Sequence, residues 1–235
     1  MSAKLKYSLL SVAAVAVVAV GLFVYFGVLS HDSPAEFSLK KGSTENTATA
    51  PPAGELAGTW SVAGGSQAGY RVREKLASLP APSDAVGRTT AVTGQVTISE
   101  QSGAYRATSA KFTVDVSQLQ SNESKRDNKI RTIGLETNKY PQATFAAAGP
   151  IDIPGDAVDG KVVTVKTDGD MTLHGVTKKV SIPLQVQRNG NQIRIVGNYD
   201  FSWDDFGMTA PSLPPFVSVT GSPKLEFDVT LQKQA

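Results

Sequence analysis

Apolar and polar residues alternate with a period of two through most of the C-terminal three quarters of the chain. In 178–187 the apolar positions are Val180, Ile182, Leu184 and Val186, with Lys179, Ser181 and Gln185 between them. The same rhythm places Ile193, Ile195, Gly197, Tyr199, Phe201 and Trp203 on one side of 192–203, and Val163, Val165, Thr167, Gly169, Met171 and Leu173 on one side of 163–173. It recurs as Leu225, Phe227, Val229 and Leu231, and as Phe112, Val114 and Val116. A period of two is that of a strand with one face buried and one face wet. Turn sequences separate the runs: Ser102-Gly103, His174-Gly175, Asn189-Gly190-Asn191 and Gly221-Ser222-Pro223. Connections this short join antiparallel neighbours.

One segment departs from the pattern. Residues 121–136, SNESKRDNKIRTIGLE, are rich in charge and carry Ile130, Ile133 and Leu135 near helical spacing. They predict one short helix near 122–135, capped at Ser121 or Asn122. About eight strands and one helix form an all-β domain that closes into an antiparallel barrel or stacks as a sandwich. Closure removes exposed edges, and an eight-stranded barrel is wide enough to hold one small ligand. An outer-membrane barrel is the poorer reading, because no aromatic girdles are visible and an apolar N-terminal helix is an odd companion for one.

The N-terminus is of another kind. From Tyr7 to Ser30 there are 24 residues without a charge. As a helix they span about 36 Å, enough for a hydrocarbon core of ~30 Å. The run exceeds the usual signal-peptide core, so a retained transmembrane signal anchor is favoured over a cleaved signal. Lys4 and Lys6 beside the amino terminus favour an inside N-terminus and an extracytoplasmic C-terminal part. The expected organisation is a cytoplasmic tail and anchor over 1–30, a flexible Ser/Thr/Ala/Pro/Gly linker over 31–56, and one domain over 57–235. The expected location is the cell membrane, single-pass. As a coil the linker reaches about 25–30 Å.

Composition narrows the chemistry. With 23 basic and 21 acidic residues in 235, the net charge of +2 gives no footprint for nucleic acid. There is no cysteine, so disulfides, thiol nucleophiles and thiolate metal sites are excluded. The two histidines are His31 and His174. His174, beside Gly175, reads as an exposed turn residue rather than a catalyst. Asp204-Asp205 read as a solvated acidic turn. Asp152, Asp156 and Asp159 lack the spacing and closing Glu of an EF-hand, and Gly64-Gly65-Ser66 is not a nucleophile elbow. No metal, cofactor or catalytic residue is assigned, and the expectation is a protein that is not an enzyme.

Three stretches carry a family resemblance: Arg126-Asp127-Asn128-Lys129 followed by Asn138-Lys139-Tyr140-Pro141-Gln142-Ala143-Thr144-Phe145; Gly169-Asp170-Met171-Thr172-Leu173-His174-Gly175-Val176-Thr177-Lys178; and Gly58-Thr59-Trp60 with Tyr70-Arg71-Val72-Arg73-Glu74. Over about residues 57–233 the chain resembles the YceI-like family of extracytoplasmic bacterial proteins. It departs from the family at Glu74, where His is frequent, and at Gly87-Arg88-Thr89. The resemblance implies a lipocalin-like barrel that binds long isoprenoid-type lipids inside.

The residues are compatible with that ligand. A tail gains about 0.8 kcal/mol per buried CH₂ against purely apolar walls. The expected cavity wall is Val72, Phe112, Val114, Met171, Leu173, Ile195, Tyr199 and Phe201, with Arg71, Arg73 and Arg126 as lipid head-group candidates. Arg126 and Asp127 read either as a salt-bridged helix-face pair or as part of a gate in which Arg126 or Lys129 meets an anionic head. The segments Phe206-Gly207-Met208 and 211–216 are too apolar for an idle connection; they pack, cover a mouth or touch a membrane. The expected partners are an isoprenoid-type lipid or other amphiphile and, through the N-terminal helix, the membrane. Two rivals stay open: an interaction module with a filled core, and an enzyme acting on such a lipid.

Overall fold

A computed structural model of the chain describes residues 33–39, 56–77, 81–158, 161–212 and 214–234. The expected membrane anchor at 7–30 and most of the expected linker lie outside the described residues. Contacts divide the chain into 1–34 and 35–235, and the second unit carries the fold. No helix among the described residues is long and apolar enough to cross a membrane.

Eleven strands form one antiparallel sheet that closes on itself: β1 (Gly58–Val62), β2 (Gln67–Leu76), β3 (Ser83–Thr89), β4 (Val92–Gln101), β5 (Ala104–Asp115), β6 (Gln142–Ala147), β7 (Ile151–Ile153), β8 (Val163–Leu173), β9 (Val176–Asn189), β10 (Gln192–Asp200) and β11 (Val217–Lys233). They occupy eight positions. β1 and β2 both pair with β11, β3 and β4 run in line beside them, and β6 and β7 both pair with β5. Closure comes where β1 bridges β4 and β11, with Trp60 opposite both Val96 and Lys233. The eight-stranded barrel expected from alternation is therefore present, with three of its staves, β1/β2, β3/β4 and β6/β7, each broken once.

The hairpins turn where glycine or a left-handed residue allows. Gly175 and Gly190 have φ of +73° and +59°, and His174 adopts +52°. The period of two is kept along the ladders. Val229 lies opposite Ile195, and Phe227 opposite Gly197 and Ala68, so these positions share the inner face.

One end of the barrel is covered by the expected helix. It begins later than its sequence suggests: α1 is Ser124–Lys129, capped by Glu123, whose carboxylate accepts from the Lys125 amide. It continues as one π turn over Ile130–Gly134. The other end is covered by the short α2 (Gly155–Val158) and by Leu56, whose carbonyl accepts from the fully buried Trp60 indole at 2.9 Å.

Candidate functional site

The inner faces of the strands do not meet in the middle. They enclose a cavity of about 230 Å³ that extends from Ile130, Leu135 and Met208 under α1 to Ile98, Ala157 and Ile193 at the opposite end. Its lining is overwhelmingly apolar. Alternation positions each wall residue, because every second side chain of a strand points inward.

Six of the eight expected wall residues line this cavity: Phe112 and Val114 on β5, Met171 and Leu173 on β8, Ile195 on β10, and Phe201 just beyond it. The other two share the inner face but not the cavity wall. Val72 is buried against Tyr70, Ala85, Val116, Leu119 and Ile130, where the lid packs down. Tyr199 lies parallel to Phe201, with ring centroids 6.5 Å apart, and joins the packing beside the wall.

The three arginines separate. Arg71 and Arg73 alternate with the inward Tyr70 and Val72, so they stand on the outer wall, away from the cavity. Arg71 is buried there, with Nε 3.1 Å from Glu226 Oε2. Arg73 is half exposed and pairs with Asp84 at 2.9 Å. Arg126 alone stands at a mouth. Its guanidinium holds the buried Glu74 through Nη2 and, at 3.3 Å, through Nε, and it also donates to Asn122 at 2.7 Å. Asp127 is not its partner; that carboxylate accepts from the Ser121 amide and hydroxyl at 2.9 and 2.6 Å. Glu74, where the family often has His, therefore serves as the latch for the lid.

Other expectations change with the packing. His174 is no exposed turn residue. Its side chain is 9% exposed, its Nδ1 donates to the Phe206 carbonyl at 3.1 Å, its Nε2 lies 2.7 Å from Glu136, and its ring meets Tyr140 at 4.4 Å. It joins the β8–β9 hairpin to two other segments. Phe206 and Met208 belong to the core, whereas Phe216 is 65% exposed. Asp205 closes a capping box with Ser202, and that backbone hydrogen bond holds its carboxyl below the usual range.

Two wall residues that alternation did not single out as polar contacts are Tyr70 and Thr167. Both line the cavity; the Thr167 hydroxyl has no hydrogen-bond partner among the described residues, whereas the Tyr70 phenol faces Ser121 and the charged lid cluster of Arg126, Asp127 and Glu74. Burial pushes the Tyr70 phenol well above its ordinary value, so it is a neutral donor at any working pH. An orphaned hydroxyl in an apolar cavity is costly unless something fills it. Arg188, inward at the end opposite the lid, also lines the cavity and donates to the Gly190 carbonyl at 3.1 Å. Among the described residues no group of three His, Asp or Glu could hold a metal.

The geometry agrees with what known proteins offer for comparison. The model of the YceI-like domain matches residues 62–231. The YceI protein of Shigella flexneri is 31% identical over 111 residues, which is 47% of this chain and 48% of that one. A UPF0312 protein of Vibrio parahaemolyticus is 35% identical over 79 residues, 33% and 38% of the two chains. The chain thus spans about half the length of the curated relatives it matches. Two solved structures share the fold: a polyisoprenoid-binding domain from Saccharophagus degradans (TM-score 0.57, 16% identity, 76% of this chain and 99% of that one) and BcnA of Burkholderia cenocepacia (TM-score 0.52, 20% identity, 70% and 95%). From its first strand's end to its last strand, the chain belongs to the YceI-like family.

Proposed function

We propose that this protein is a membrane-tethered, extracytoplasmic barrel that takes an isoprenoid-type lipid into its interior for carriage, storage or sequestration. The observation that carries the reading is the apolar cavity between the inner faces of the strands. Natural interiors are packed to crystal density, with few voids larger than a water molecule; a void of about 230 Å³ between two covered ends is space for a ligand. It is long and apolar, which suits a branched hydrocarbon tail recognised by area rather than by polar contacts. The name of the solved polyisoprenoid-binding neighbour supports the same chemistry. Tyr70 and Thr167 supply the hydroxyls for the few oxygen atoms such a ligand carries, and Arg126 at the lid is the remaining head-group candidate. The expected anchor supplies the tether. The cavity also weighs against the filled-core rival. Among the described residues the inward Glu74, with Tyr70 beside it at the lid, and Arg188 near the other end stand in opposite regions, which favours a binding protein over an enzyme.

The test is native mass spectrometry of the full chain in detergent, with extraction of copurified lipid, on the parent and on Val114→Trp. A cavity predicts a prenyl adduct in the parent. In the variant the long-tailed adduct is lost, shorter tails are kept, and melting changes little because the indole occupies empty space. A parent that binds no prenyl probe, with a variant overpacked by roughly 1–3 kcal/mol, would refute the proposal in favour of a filled core.

A further inference from the structure

A polar atom stands inside the cavity without a partner. Thr167 is 1% exposed and lines the cavity, and its hydroxyl has no hydrogen-bond partner among the described residues. Its place on β8 is inward and central. Val165 comes before it on the same wall, Met171 and Leu173 after it, and the residue opposite on β9 is Ile182. Every second residue of a strand shares a face, so Thr167 interrupts an otherwise apolar row. Between Thr167 and Met171 the inward Gly169 leaves the space that the Phe145 ring fills: a Cβ there would lie 2.4 Å from the ring.

A buried hydroxyl without a partner is worse than a methyl group in its place. A bound water would need about two to four polar partners, and the side chains named around Thr167 offer none beyond its own hydroxyl. A ligand oxygen has no such requirement, because its own tail, packed on the apolar wall, holds it there. The ionised groups of the interior stand at the two ends. At the lid, Glu74, Asp127 and Arg126 gather beside the Tyr70 phenol, two carboxylates against one cation. Toward the other end, Arg188 lies beyond Ile182 by about 20 Å of strand and donates to the Gly190 carbonyl. An ionised head at Thr167 would therefore lack a countercharge, and burying one is far costlier than burying a neutral oxygen.

We propose that Thr167 is the head-group contact of the barrel's ligand, a prenyl lipid ending in a neutral oxygen, which buries that oxygen midway along the cavity in a hydrogen bond to the Thr167 hydroxyl. A hydroxyl donates as well as accepts, so a prenyl alcohol and a prenyl carbonyl both suit it. The inference rests on the lipid-binding reading above and narrows it: prenyl phosphates and other ionised amphiphiles are the wrong class for this site. A site built to pair a ligand oxygen also rejects the analogue that lacks it, because the buried hydroxyl is then left unpaired.

The test is a competition on the full chain in detergent, read by native mass spectrometry. Geranylgeraniol competes with the hydrocarbon of the same skeleton, CH₃ standing for CH₂OH, and with geranylgeranyl phosphate. Partitioning into micelles is common to parent and variants, so a change in the bound ratio reports the protein. The parent is expected to prefer the alcohol to both. Thr167→Val, of nearly the same shape, should lower the alcohol-to-hydrocarbon ratio by about three- to tenfold, the value of one hydrogen bond, and leave hydrocarbon binding as in the parent. Thr167→Ser should keep the preference. Stripped of lipid, Thr167→Val should melt no lower than the parent, because it loses an unsatisfied group. Three results would each overturn the proposal while the lipid-binding reading stands: an unchanged ratio in Thr167→Val, a stripped Thr167→Val that melts below the parent, or a phosphate preferred to the alcohol, with that preference lost in Arg188→Gln. A parent that takes up none of the three probes would overturn both.

Discussion

Glu226 is a carboxylate on the outside of a barrel, yet its side chain is 1% exposed. Arg71 reaches it at 3.1 Å and Arg88 at 2.7 Å. Gly69 lies directly between Glu226 and Arg88 in the ladder, and a Cβ there would come within 3.0 Å of the Arg88 side chain. The glycine leaves the gap across which the charges meet. Removing one partner of a buried ionic cluster strands the others, so Glu226→Ala is expected to cost about 3–5 kcal/mol. Arg73→Ala, at a half-exposed pair, is expected to cost under about 1 kcal/mol. Urea melts of the two variants check the contrast. Asp84 gives a pH signature. Burial pushes its carboxyl up, but hydrogen bonds and charge from Arg73 and Arg71 outweigh this and hold it below the usual range. A lowered carboxylate contributes stability above its ordinary pKa, and that stability is lost as pH falls through the lowered value. Asp84→Asn is therefore expected to be less stable at neutral pH and to lose stability less steeply below about pH 4, measured by melting against pH. The arginines were visible in the sequence; Glu226, 155 positions from Arg71, was not, because nothing local links the two.

At the scale of elements, the lid is held, among the described residues, by an ionic contact between Arg126 and a Glu74 side chain that is 5% exposed. Arg126→Ala is expected to leave Glu74 buried without its cation and to loosen 124–135. Hydrogen exchange should then quicken across the lid and stay slow in β8 and β9. Arg126→Lys should restore little, since an ammonium cannot reproduce the fork that holds both carboxylate oxygens. The strands were legible because alternation is a direct print of burial on one face. β8, whose inner face reads Val165, Thr167, Gly169, Met171 and Leu173, appears where its pattern places it. The breaks in the first two staves were not legible, since the short connections at 63–66 and 90–91 interrupt the period without a strong turn between opposed strands. Nor was the purpose of inward glycines such as Gly87 and Gly197, where a Cβ would strike the rings of Tyr70 and Phe227 at 2.3 and 2.5 Å. Those are statements about neighbours across the sheet, as is the cavity itself, since wall and packed core use the same residues.

The whole molecule adds a strap that reads as plain linker. Residues 35–39 run across the outer wall over the Glu226 cluster. The Ala35 carbonyl accepts from Arg88, Glu36 pairs with Lys224 at 3.0 Å, the Phe37 ring lies 3.8 Å from the Arg88 guanidinium, and the Leu39 amide donates to Gln185. Glu36 also raises the Lys224 ammonium, which shows how closely the two are held. A polar tract without periodicity gives no sign of this, because the strap is fixed by the wall beneath it. Phe37→Ala is expected to cost about 1–2 kcal/mol and to free 35–39 to exchange, while the barrel ladders keep their protection. Hydrogen exchange of the full chain checks this.

The pairing of β1 with β11 means that the first and last strands of the barrel are neighbours: the Gln234 amide donates to the Thr59 carbonyl at 2.9 Å. The order in which the staves are connected is then a matter of genetics rather than of mechanics. A reordered gene that joins residue 234 to residue 58 through a short glycine bridge and opens the chain at the exposed Ser102-Gly103 turn would retain every rung of the ladder. The expected product is a barrel with the parent's circular dichroism and a melting temperature lowered by the loss of Leu56 and of the strap, which lie before the junction. Its new ends would emerge between β4 and β5, so that a fused reporter could be carried at that hairpin with the α1 lid left intact.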